Sequence, residues 1–213
     1  MKRLLPGILA MATIVVASNI LVQFLFGNWL TWGAFTYPLA FLVTDVMNRV
    51  YGAHAARRVV FAGFVVGIVC SLIGSQIMIE VAPGILAPAV ALRIAVASAV
   101  AFMTAQLLDI AVFDRLRHGA WWRAPLASTL IGSIVDTALF FTIAFSASVV
   151  IFGPEADAAI SWAWEPLPFL GRGAEVPLWV SLAVADWLVK LSLAIIALVP
   201  FRVIVRKIMP HAA

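Results

Sequence analysis

The chain has 213 residues, 64% of them hydrophobic and only 11% charged, with a mean hydropathy of +1.10 and a formal net charge of +4. Soluble domains carry about 25% charged residues, so that class is excluded and a single membrane domain over residues 1–213 is expected. The one cysteine, Cys70, excludes an internal disulfide.

A bilayer core takes about 20 consecutive apolar residues per helix, and six stretches reach that length. The first, Leu4–Phe26, follows Lys2 and Arg3 and could pass for a secretory leader as far as Ala17-Ser18. Its apolar run continues past Ser18, which predicts an uncleaved first helix. Asn19 and Gln23 lie four apart on one face of it. Amides in hydrocarbon need partners, either on a neighbouring helix or on a polar substrate in a cavity.

The second stretch, Trp32–Val50, is interrupted by Pro38 and ends in the polar residues Thr44, Asp45 and Asn48. The i,i+4 spacing of Asp45 and Arg49 predicts an interfacial ion pair. The third, Val59–Ile79, places Gly63, Gly67, Ser71 and Ser75 at strict four-residue spacing. Such a ladder of small residues lets another helix approach closely, within the chain or in a homodimer.

The fourth stretch, Leu86–Phe113, holds Arg93 near one end and Gln106 and Asp109 near the other. Arg93 either snorkels to the interface or turns inward to a carboxylate or a ligand carbonyl. The fifth, Pro125–Phe152, aligns Ser128, Gly132, Asp136 and Phe140 on one face. Small residues followed by an acid and an aromatic make a pocket wall; alternatively Asp136 pairs with Lys190 or Arg93. The longest connection, Gly153–Val176, carries Trp162 and Trp164 and suits either a lid or an interfacial anchor. The sixth stretch, Pro177–Val205, contains Asp186 and Lys190 four residues apart. Each buried charge costs about 2.5–3.5 kcal/mol at a bilayer centre, so such groups neutralise one another and mark function.

Basic residues set the orientation. Lys2, Arg3, Arg49, Arg57, Arg58, Arg115, Arg117, Arg123, Arg202, Arg206 and Lys207 fall at alternate connections and at both ends. Glu80, Glu155, Asp157, Glu165 and Glu175 fall at the others, with only Arg93 and Arg172 in return. This pattern predicts an all-α membrane protein of six transmembrane helices with both termini cytoplasmic. It also accounts for the pI near 9.8 without nucleic acid as a partner. His54, His118 and His211 sit at helix ends and form no metal-ligand spacing. The sequence has no phosphate loop and no nucleophile elbow. No cofactor, metal, ATPase or other enzymatic activity is expected within the chain.

Four segments carry a resemblance. TWGAFTYPLAFLVTDVMNRVYGAHAARRVVF (Thr31–Phe61), LRIAVASAVAFMTAQLLDIAVFDRLR (Leu92–Arg117), WWRAPLASTLIGSIVDTALFFTIAF (Trp121–Phe145) and VADWLVKLSLAIIALVPFRV (Val184–Val203) resemble the signature of the queuosine precursor transporters. Ser18-Asn19 and Val22-Gln23 fit as well. The resemblance implies a multi-pass protein of the bacterial inner membrane. It would import the 7-deazaguanine precursors 7-cyano-7-deazaguanine and 7-aminomethyl-7-deazaguanine. The alternative is a substrate-capture subunit of a vitamin-type importer with a separate ATP-driven motor. A guanine-like edge offers N–H donors that Asp136 or Asp186 can accept, beside Lys190 and Arg93. Its carbonyl needs a donor such as Asn19, Gln23 or Gln106. Its flat face suits Trp32, Phe35 or Phe140.

Overall fold

A computed structural model describes residues 2–82 and 84–209. A 3₁₀ turn, Lys2–Leu4, leads into α1 (Leu5–Leu21), with Pro6 in the first turn, where its missing N–H has no helical partner to lose. Then come α2 (Gly33–Thr36), α3 (Leu39–Tyr51), α4 (Ala53–Gln76), α5 (Leu92–Leu116) and α6 (Arg123–Phe145). The short α7 (Pro154–Ala158) precedes α8 (Leu178–Ile196) and α9 (Leu198–Ile208). Among the described residues, four helical segments are long and apolar enough to cross a membrane: α4, α5, α6 and α8 with α9 together, Leu178–Ile208.

The other two expected spans take a different form. The first is an apolar helix of 17 residues, Leu5–Leu21, about 25 Å long against a hydrocarbon core of about 30 Å. The second is split into α2 and α3 at Pro38, which has no N–H to continue the ladder. A similar break separates α8 from α9. Pro200 cannot donate to the carbonyl of Ile196, and the helix turns at Ala197.

Three antiparallel hairpins depart from the all-helical expectation: β1 (Leu25–Phe26) with β2 (Leu30–Thr31), β3 (Met78–Ala82) with β4 (Ile85–Pro88), and β5 (Pro166–Pro168) with β6 (Glu175–Pro177). The fourth apolar stretch therefore starts its helix at Leu92 rather than Leu86. Apolarity alone does not separate a buried strand from a helix, and the run around Met78–Pro88 is β-branched and turn-bounded enough to fold back on itself.

Close packing is set by small residues. At Gly63 a Cβ would lie 2.5 Å from Met11 Cγ, and at Gly67 one would lie 3.5 Å from Val15 Cγ1. The ladder on α4 thus seats α1 within the same chain. Gly132 does the same for α5 and α6, where a Cβ would meet Phe41 at 2.8 Å and the Ala105 carbonyl at 3.4 Å. Met11, Val15, Val59, Val60 and Phe102 fill the core between α1, α4 and α5. Leu9, Phe61, Leu72, Ile73, Ile196 and Val199 are exposed, which suits helices whose outer faces meet lipid.

The two ends of the bundle differ. At one, Arg49 donates to the Arg117 and Trp121 carbonyls, and Arg202 lies 4.5 Å from the Trp121 ring. At the other gather the hairpins and the long connection Gly153–Val176.

Candidate functional site

Where α6 meets α8, one lysine is shared by two acids. Asp186 and Lys190 lie one turn apart on α8, as their spacing predicts, with Lys190 Nζ 2.5 Å from Asp186 Oδ2. The same ammonium reaches Asp136 Oδ2 on α6 at 2.7 Å and donates to Thr137 Oγ1 at 3.0 Å. Thr137 in turn donates to Asp186 Oδ2 at 2.9 Å. Tyr37, at the break between α2 and α3, donates its hydroxyl to Asp136 Oδ1 at 3.0 Å, and Lys190 Nζ stands 5.5 Å from its ring centre. Lys190 and Asp136 side chains are each 4% exposed and Asp186 is 16% exposed. When all three groups are ionised the cluster holds one negative charge in excess.

The partners decide which oxygens remain open. Both oxygens of Asp136 are engaged, one by Tyr37 and one by Lys190. Asp186 Oδ2 takes Lys190 and Thr137, whereas Asp186 Oδ1 accepts no hydrogen bond among the described residues. A shallow apolar groove of about 330 Å³ between α6 and α8 is lined by Ile134, Thr137, Ala138, Ala183, Val184 and Trp187. The Trp187 indole N–H is buried and unpartnered. Thr137 is common to the groove and the cluster, and the cluster keeps one carboxylate oxygen, Asp186 Oδ1, free to accept an N–H.

Tyr37, Thr137 and Trp187 complete the cluster without having been singled out in the sequence. Thr137 follows Asp136 and sits four residues after Ser133, and Tyr37 directly precedes the helix-breaking Pro38. Both signals were present. Only the fold shows that they converge.

The other expected residues lie elsewhere. Asn19 donates back to the Val15 carbonyl of its own helix at 2.9 Å, and Gln23 reaches the Ala89 carbonyl at 3.2 Å. Trp32 and Phe35 form a ring cluster with Phe26, at 4.9 Å and 5.0 Å, near the hairpin end. Phe140 packs on Phe141 and Phe145, in the core beneath the long connection. Arg93 is fully buried and turns inward. It donates to the Ile143 and Ser146 carbonyls and pairs with Asp157 of α7 at 2.6 Å. Together with Trp164 donating to the Phe145 carbonyl at 2.6 Å, this fastens the long connection onto α5 and α6.

Gln106 belongs to a second buried polar group between α3, α5 and α6. Thr44 donates to its Oε1 at 2.6 Å, while its Nε2 is unpartnered. In the same group Asn48 donates to the Ile110 carbonyl, and Ser128 and Thr129 each donate to Asp45 at 3.1 Å. Asp45 therefore faces α6 and makes no ion pair with Arg49, whose donors go to backbone carbonyls. The i,i+4 rule gave the right distance along the helix, but the hydroxyls of α6 hold the carboxyl more directly. His54 and His118 are not part of either cluster, and His211 lies outside the described residues.

Comparison with known proteins gives the same family throughout. Residues 31–205 match the family described as "Putative vitamin uptake transporter". The queuosine precursor transporter of Escherichia coli strain K12 is 41% identical over 158 residues, covering 70% of this chain and 69% of that protein. A probable queuosine precursor transporter of Haemophilus influenzae is 35% identical over 189 residues, covering 84% and 71%. One from Bacillus subtilis strain 168 is 30% identical over 139 residues, covering 57% and 58%. No solved structure matches. The chain belongs to the queuosine precursor transporter family and is a multi-pass membrane protein.

Proposed function

We propose that this family member imports 7-cyano-7-deazaguanine and 7-aminomethyl-7-deazaguanine across the bacterial cytoplasmic membrane, as a self-sufficient carrier. The observation that supports it most is the unengaged Asp186 Oδ1 of the Lys190 cluster, which shares Thr137 with the α6–α8 groove. A 7-deazaguanine ring presents N–H groups for the carboxylate and a carbonyl for a donor. The excess negative charge of the Asp136–Lys190–Asp186 cluster favours the cationic aminomethyl compound. It leaves the neutral cyano compound to be held by hydrogen bonds alone. Trp32 and Phe35 offer an aromatic surface at the hairpin end for the ring before it enters.

In this reading six segments cross the bilayer, α1 and the α2–α3 pair completing the four long spans. The end holding Arg49, Arg117, Arg123 and Arg202 faces the cytoplasm with both termini, and the hairpin end faces outward.

Cells that cannot make queuosine precursors test the proposal. With this protein they should regain queuosine in tRNA when fed 7-cyano-7-deazaguanine, and without any importer they should not. Equal recovery in both would refute import. Purified protein in ATP-free liposomes should still take up the labelled compound. A capture subunit dependent on a separate motor would not.

A further inference from the structure

Away from the Lys190 cluster, two acids are buried without a cation. Asp45 on α3 is 2% exposed and Asp109 on α5 is fully buried. The Asp45 carboxyl takes hydrogen bonds from Ser128 and Thr129. The Asp109 carboxyl has no partner at either oxygen among the described donors, and its polar neighbours are the Asp45 carboxyl and the Ser128 hydroxyl. Two further polar atoms flank the pair unpartnered, Asn48 Oδ1 one turn from Asp45 and Gln106 Nε2 one turn from Asp109, both on fully buried side chains. The group thus has more acceptors than donors. Three buried oxygens lack a hydrogen that nothing in the described structure supplies.

The surrounding elements bring no charge to correct this. On α3 itself, Arg49 is committed to the Arg117 and Trp121 carbonyls. At the end of α5, Arg117 pairs with Asp114 and reaches the Asn48 and Arg49 carbonyls. Arg57 and Arg58 of α4, Arg123 of α6 and Arg202, Arg206 and Lys207 of α9 are exposed. Lys190 of α8 is held by Asp136 and Asp186, with Tyr37 on their far side. Among the described residues α1 contributes no titratable side chain to the contact. Two bare carboxylates side by side in such a place repel each other and lose their hydration, a cost of several kcal/mol per ion. A single proton between them removes one charge and supplies the missing hydrogen bond.

The pair is also placed to communicate. A small cavity with room for roughly one water borders Asp45 and Thr129, and Leu193 and Ala194 of α8, with Ala197 at its end, close its other side. Along α6, Thr129, Ser133 and Thr137 follow one another turn by turn, as do Gly132 and Asp136, and a Cβ at Gly132 would stand 3.5 Å from Asp109 Cβ. One face of α6 therefore carries both the residues that touch the acid pair, Ser128, Thr129 and Gly132, and further along the residues that hold Lys190, Asp136 and Thr137.

We propose that Asp45 and Asp109 share one proton and form the proton-coupling site of the carrier, distinct from the substrate's groove. The proton binds from the outer side, crosses with one molecule of substrate and leaves to the cytoplasm. This rests on the transport reading above.

Infrared spectra of the purified protein in lipid nanodiscs at neutral pH test the pair without any substrate. The wild type should show a protonated-carboxyl stretch that is lost in both D45N and D109N and unmoved by sodium. Absence of that band in the wild type, or its removal by sodium, overturns the assignment, and the wild-type spectrum decides even if a variant fails to fold. In proteoliposomes with labelled 7-cyano-7-deazaguanine, an acid-outside gradient should drive accumulation by the wild type. D45N and D109N should lose accumulation and retain exchange. Accumulation driven by sodium, or by neither gradient with exchange intact, overturns the coupling role. Loss of exchange in the wild type would instead count against the transport reading, leaving the infrared result to judge the pair.

Discussion

Lys190 and Asp136 are fifty-four residues apart in sequence and 2.7 Å apart in space, and this contact joins α6 to α8. Because Lys190 also holds Asp186, removing it strands two carboxylates at once. Lys190→Ala is expected to cost about 3–5 kcal/mol, most of it from the unpaired acids. The triple variant Asp136→Asn, Asp186→Asn, Lys190→Met should fold better than the single one. Melting temperature and detergent-extracted yield measure both. A triple variant as unstable as Lys190→Ala would mean that the lysine stabilises by packing.

The two acids of the cluster should separate in transport. Asp186→Asn replaces the open acceptor and is expected to lower uptake of labelled 7-cyano-7-deazaguanine by about tenfold or more, since a donor then faces a donor. Asp136→Asn removes an acceptor already engaged by Tyr37 and Lys190, so its larger effect should be on stability. Uptake measured against surface protein level distinguishes them. If Asp186→Asn transports normally at wild-type levels, the groove is not where the ring is recognised.

Tyr37→Phe takes away one hydrogen bond to a buried carboxylate and nothing else. The expected loss is about 1.5–3 kcal/mol. It should be largely absent in the Asp136→Asn background, because the two residues act on one contact. A double-mutant cycle in melting temperature reads this directly.

Gly63→Leu should force α1 away from α4, because even a Cβ there would stand 2.5 Å from Met11. Overpacking of this kind costs about 1–3 kcal/mol. The same change at Gly74 would press on Val90 rather than on α1. Crosslinking between cysteines placed at 15 and 67 should therefore fail in a Gly63→Leu variant and survive in a Gly74→Leu variant.

Arg93→Met should release the long connection. Its three donors hold two carbonyls at the end of α6 and the Asp157 carboxylate. Their loss is worth about 3 kcal/mol locally. Hydrogen exchange should quicken across residues 146–165 and leave α3 unchanged. Unchanged exchange there would mean that Trp164 alone fastens the connection.

Much of this was legible in the sequence, and what was not has a physical pattern. Asp186 and Lys190 announce themselves because charges in an apolar helix need partners and i,i+4 spacing supplies one. The four long apolar helices follow from hydropathy, but the hairpin at Met78–Pro88 does not, since a short apolar run reads alike as strand or as helix. Arg93 was known to have two options, and the choice depended on an acid in α7, sixty-four residues on. Asp45 reads as the partner of Arg49 until the hydroxyls of α6 are in place. Local spacing reveals which groups need a partner. The partner itself is a fact of tertiary structure.

The shared lysine also limits how the protein can move. Sliding α8 along α6 by a turn would pull Lys190 off Asp136 and both Lys190 and Asp186 off Thr137, and Arg93 and Gly132 bind α5 to α6 just as firmly. These three helices form a fixed wall. Any opening to one side of the membrane and then the other must come from the opposite wall, where α1 and α4 meet only through small residues and apolar contacts. Pro38 is the joint between the two. Tyr37, hung on that joint with its hydroxyl on Asp136, is the latch that a swing of α1 and α4 would have to lift.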